Sequence, residues 1–178
     1  MIDTVAARGV GNRSLRDIAT DVGTSHRKLL HHFGTREELL VAVVREVEAR
    51  QAQLIGTLDG SAADRVTQVW AHLSDPAMRA LEQLFFESYS RGANGEAPFN
   101  LLLPHAVHTW LRRAGDDDDH DPALARLGLA VIRGLLLDLV GTNDQAETTR
   151  ALERFVELLA SASSAPLVKP PRSRRRSP

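Results

Sequence analysis

The chain has 178 residues, 43% of them hydrophobic, no cysteine and a formal net charge of −1; that is enough apolar material for a core and leaves no disulfide or thiolate metal site. No 18-residue apolar run is present and no basic start precedes a long apolar stretch, so neither a transmembrane helix nor a signal peptide is expected and a cytoplasmic location is. The near-neutral total hides an uneven spread: residues 1–50 hold 8 Lys/Arg against 7 Asp/Glu, residues 51–168 hold 9 against 16, and residues 169–178 hold 5 against none, so the acidic middle disfavours nucleic acid while the two ends do not.

In chain order, residues 1–8 predict a short helix stopped by Gly9 and Gly11. Ser14 reads as the N-cap of a second helix, with Leu15, Ile18, Ala19 and Val22 on one face and Gly23 as its break. A third, short helix covers about 24–32, anchored by Leu29 and Phe33 and ended by Gly34. Thr35-Arg36-Glu37-Glu38 has the form of a capping box. It opens a long helix with Leu39, Leu40, Val43, Val44 and Val47 inward, closing near Gly56 and Gly60.

Residues 64–73 predict one helix, and Asp75-Pro76, a cap followed by Pro at the first helical position, opens the next. That helix carries Met78, Leu81, Leu84, Phe85 and Tyr89 and stops at Gly92 and Gly95. Residues 98–113 predict another, in which Pro104 marks a kink or a late start. An acidic loop over 115–121 leads to a second Asp-Pro cap at Asp121-Pro122. The helix it opens places Leu124, Leu127, Gly128, Val131, Leu135 and Leu139 along one stripe and ends at Gly141. A last helix over 145–162 carries Ala151, Leu152, Phe155, Val156 and Leu159. Residues 163–178 are rich in Pro, Ser and Arg and cannot offset the entropy of ordering.

The expected fold is therefore all-α: an N-terminal helix-turn-helix three-helix head over 1–48, a C-terminal helical body over 49–163, and a disordered basic tail over 164–178. The segment SLRDIATDVGTSHRKLLHHFGTREELL carries the argument. Two short helices with a glycine in the turn, the second ended sharply, suit a helix-turn-helix. The second helix must lie in the major groove with polar side chains outward. Ser14, Thr24, Ser25, His26, Arg27, Lys28, His31 and Arg36 form the candidate DNA-binding set, with donors for guanine edges and phosphate oxygens. Leu29 and Phe33 are core, and His32 is a packing residue at the helix end.

This stretch resembles the head of the TetR family of transcriptional regulators. The resemblance rests on Ile18-Ala19, Gly23, Ser25, Leu29, His32-Phe33 and Thr35-Arg36-Glu37-Glu38-Leu39, and it covers about residues 9–45. The family pattern there is roughly I-A-x-x-A-G-V-S-x-G-T-L-Y-x-H-F-x-S-K-E-x-L. Arg27-Lys28 stand where it has Gly-Thr, Leu30 where it has a phosphate-contacting Tyr, and Arg36 where it has Lys. The predicted first helix is also shorter than in the family.

The resemblance implies a ligand-responsive repressor acting as a homodimer on a palindromic operator, with the dimer formed by about 122–162 and a ligand pocket in the body. Those two helices are apolar over more than one stripe, as a helix with two buried faces requires. Trp70, Phe85, Phe86, Tyr89, His105, His108 and Trp110 are the candidate ligand-binding residues for a small, largely apolar effector. A second reading keeps the ligand-binding or protein-partner body and drops productive DNA binding; the short first helix and Leu30 motivate it. His105 and His108 beside Asp116–Asp119 and His120 raise a metal enzyme as a third, but the acidic run reads as a solvated loop. No hydrolase triad spacing, phosphate-binding glycine loop or HExxH occurs, so no catalysis, metal, cofactor or membrane partner is expected.

Overall fold

The computed structural model describes residues 13–114 and 121–163. The expected helix over 1–8, residues 115–120 of the expected acidic loop and the tail over 164–178 lie outside the described residues. Every regular element among those described is helical: α1 (Leu15–Asp21), α2 (His26–Phe33), α3 (Arg36–Ile55), α4 (Ala62–Leu73), α5 (Arg79–Ala93), α6 (Leu102–Ala114), α7 (Pro122–Thr142) and α8 (Gln145–Ser163), with 3-10 turns at Pro76–Met78 and Phe99–Leu101.

Local side-chain chemistry sets most of the boundaries. Ser14 and Asp17 form a reciprocal capping box at α1, and Thr35 with Glu38 forms one at α3, where the Thr35 amide donates to Glu38 Oε2 at 2.8 Å. Ser25 caps α2 through its Oγ, which accepts from the Lys28 amide at 3.2 Å. Gly23 and Gly34 have φ of +67° and +79°, so each turn flanking α2 is made by a residue that enters the left-handed region without a Cβ penalty.

Several starts differ from the sequence reading. The cap of α4 is Ser61, paired with Asp64, so that helix begins at Ala62 rather than at 64. Asp75-Pro76 opens a 3-10 turn, and the α-helix itself begins at Arg79. Pro104 is the third residue of α6, a late start in which its missing N–H costs nothing, because the first four helical amides have no intrahelical partner. Gly141 lies inside α7, which ends at Asn143 with φ +60°.

Two apolar clusters organise the packing. The first runs from Leu15, Ile18, Ala19 and Leu29 through Leu39, Leu40, Val43 and Val44 of α3 to Leu84, Phe85, Phe99 and Leu102. It joins the helix-turn-helix to α5 and α6 without a break. The second holds Val69, Trp70 and Leu73 of α4, Trp110 of α6, Ile132, Leu136 and Leu139 of α7 and Leu152 of α8. Phe86 touches both. Helix α3 lies against α6 and α5, and α8 lies against α4 and α7. The expected boundary at 48 falls inside α3, which is one continuous helix from the head to Ile55.

Candidate DNA interface and the buried polar core

Helix α2 is built to show polar atoms. Leu29 is buried at 3% exposure and Phe33 is half-buried, so both point inward. His26, Arg27, Lys28, His31 and His32 are exposed around the remaining arc. No acidic residue lies between 22 and 36, so nothing on α2 offsets its positive side. The His32 ring meets Phe33 edge-on at 4.6 Å, which ties that histidine to the end of the helix. An open depression of about 710 Å³ runs along α2, lined by residues that include Thr24, Ser25, Arg27, Lys28, His31 and His32.

The other predicted DNA-binding residues have structural partners. Ser14 is engaged in the α1 capping box. Arg36 is half-buried; its Nε donates to the Arg13 carbonyl oxygen at 2.7 Å and its guanidinium lies 3.8 Å from Glu37. Arg13 in turn pairs with Asp21. The start of α3 is thereby tied to both ends of α1.

In the body the predicted ligand-binding residues separate. Trp70 and Trp110 are buried in the second cluster, and the Trp70 Nε1 donates to Thr149 Oγ1 at 3.1 Å. Phe85, Phe86 and Tyr89 form a chain of ring contacts at 5.3 and 5.8 Å, with Tyr89 partly exposed. His108 is exposed, and the His105 side chain lies outside the described residues. A cavity of about 20 Å³ touches Trp110, and one of about 10 Å³ touches Phe85.

The second cavity is walled by groups that the sequence reading passed over: Glu48 and Gln51 of α3 and Glu82 of α5. The Trp110 Nε1 donates to Glu48 Oε2 at 2.8 Å, the Arg133 Nη2 lies 3.4 Å from the same oxygen, and the Gln51 Nε2 donates to Glu82 Oε1 at 3.4 Å. The Arg133 guanidinium sits 5.0 Å from the centre of the Phe85 ring. Burial raises the Glu48 carboxyl above its ordinary range, opposed by Arg133 and by the Trp110 hydrogen bond. Burial also pushes Glu82 up to about 8, helped by the facing Glu48 and opposed by Gln51 and Arg133. One signal for this cluster was available: Leu40, Val44, Glu48 and Gln51 share one stripe of α3, so polar residues interrupt a face that is otherwise apolar.

Among the described residues no group of three or more His, Asp or Glu is placed to hold a metal ion, and no helix is long and apolar enough to cross a membrane. Residues 3–43 match the family model of the bacterial regulatory proteins, tetR family. Among solved structures, the chain is similar to one from Rhodococcus sp. assigned to the TetR-family transcriptional regulators. The likeness has a TM-score of 0.67 and 21% identity, and covers 90% of this chain and 92% of that one. No curated protein matches the chain significantly.

Proposed function

We propose that this chain, which carries a tetR-family head on a TetR-like helical fold, is a transcriptional regulator that represses from a palindromic operator as a homodimer and releases it on binding a small, largely apolar effector. The observation that carries the DNA-binding part is α2: a helix held by buried Leu29 and capped by Ser25, with Arg27, Lys28 and His31 turned outward inside the matched segment. Arginine and lysine suit the guanine edge and the phosphates.

The dimer reading is supported by the outer face of α7. Leu127, Ala130, Gly134, Leu137 and Gly141 are exposed at alternating spacings of three and four, the pattern of a helix seam. A Cβ added at Gly134 or Gly141 meets nothing within 4 Å, so these glycines leave room for a close partner. Leu158 on α8 is 57% exposed. Leu137→Glu should give a monomer by sedimentation; a dimer that persists with the substitution contradicts this seam.

The ligand response is supported by the path of α3. Its first turn is tied to the head through Arg36 and its last turns line the buried polar cluster. An effector that wedges between α3 and α5 would therefore change the angle of both heads. The test is a mobility shift with the full chain on the DNA flanking its own gene, across a salt series. Specific binding that falls steeply with salt and is lost with Arg27→Ala/Lys28→Ala is expected. Absence of specific binding at low salt overturns the reading.

A further inference from the structure

At 100° per residue, with Leu29 and Phe33 inward, Arg27 and His31 point most directly away from the head, Lys28 takes one shoulder of α2 and Leu30 takes the other. Leu30 is 46% exposed. Among the described residues the other exposed large hydrophobics, Leu54, Tyr89, Leu101, Leu127, Leu137 and Leu158, all lie beyond the head. Leu30 therefore stands apart from the α7–α8 surface, beside cationic neighbours on the helix offered to DNA.

We infer that Leu30 is a specificity-determining residue that packs against the C5 methyl group of a thymine in the major groove, next to the bases contacted by Arg27 and Lys28. This rests on the DNA-binding reading above. Leucine has no donor with which to hold a phosphate. On the major-groove edge, thymine alone among the four bases offers an apolar group. Against the other bases, Leu30 would cover donors and acceptors that water otherwise satisfies. Leu30 thus favours thymine in two ways, by burying a methyl group and by leaving polar edges unpaired elsewhere. The cationic residues hold the duplex close enough for an uncharged side chain to read it.

The test separates this inference from the reading beneath it. A random-sequence duplex pool is selected with the full-length protein, and the recovered site is remade with deoxyuridine replacing one thymine at a time, which deletes only the methyl group. At one thymine per half-site, removal should weaken wild-type binding about fourfold, the worth of one buried carbon. Leu30→Ala should bind the thymine and uracil duplexes equally and keep the wild-type salt slope, since no charge is lost. Its half-exposed position makes the variant safe for folding, and an unchanged circular dichroism melt checks that. Equal wild-type affinity for every thymine and uracil pair, or a thymine preference that survives Leu30→Ala, overturns the inference while leaving DNA binding intact. A pool that yields no site overturns the DNA-binding reading as well.

Discussion

Helix α2 turns His26, Arg27, Lys28, His31 and His32 to solvent over a buried Leu29, whereas α3, α5 and α7 turn Glu48, Gln51, Glu82 and Arg133 inward, and α7 and α8 leave Leu127, Leu137 and Leu158 outside. Helix α2 keeps its charges solvated, so each costs little and each is available to a polyanion. The body buries charged groups, so removing one partner leaves the other desolvated and unpaired. An exposed cationic helix and an interior that holds its own ion network should respond differently to mutation, salt and pH.

The largest separation between the two comes from breaking the interior. Arg133→Leu leaves Glu48 with only the Trp110 donor, and should cost about 3 kcal/mol of stability, read as a lower melting temperature. A loss below about 1 kcal/mol would show that the network is not holding α3 to α7. Next is the head. Arg27→Ala/Lys28→Ala should weaken specific DNA binding on the order of 100-fold and reduce the salt slope, yet leave the unfolding free energy within about 0.5 kcal/mol of wild type, since both side chains are exposed. A variant that unfolds instead would place those residues in the structure of the head.

Titration sharpens the contrast further. Glu82, pushed up to about 8, keeps a proton in the folded chain that the unfolded chain, near 4.5, has released. Its contribution is therefore fully present below about pH 4.5 and is lost as pH rises through 8. Glu82→Gln should flatten that fall and be more stable than the wild type at pH 8.5, by roughly 1–3 kcal/mol. A pH–stability curve with the same slope in the variant would remove Glu82 as its cause. The smallest expected effect is local: Thr35→Ala deletes the cap of α3 and should cost about 1 kcal/mol. That change should leave the Glu82-dependent fall unaltered, since Thr35 takes no part in the cluster around Glu82.

The same contrast explains what could be read in advance. The head was legible because its signals are local: Ser14 with Asp17, Thr35 with Glu38, and glycines at 23 and 34 act within four residues of the positions they control. The helices of the body were legible in number, but the 3-10 turns at Pro76–Met78 and Phe99–Leu101 were not, since Asp-Pro and Pro-Phe serve either kind of turn. The buried cluster stayed hidden because its members come from four helices. Glu48 meets Trp110 and Arg133 across 62 and 85 residues, and a glutamate beside Val47 looks like an ordinary solvated position. Of the aromatic residues named as pocket candidates, Trp70 and Trp110 pack in the second cluster, and Trp110 is a donor to Glu48.

The central claim, that α2 reads DNA from a two-fold assembly, is tested most directly by footprinting the full-length protein on its selected site. The account predicts two protected half-sites related by symmetry and separated by about one helical turn or a multiple of it, with both lost together in Arg27→Ala/Lys28→Ala. Protection of a single unpaired site, or protection that survives the double substitution, would contradict it.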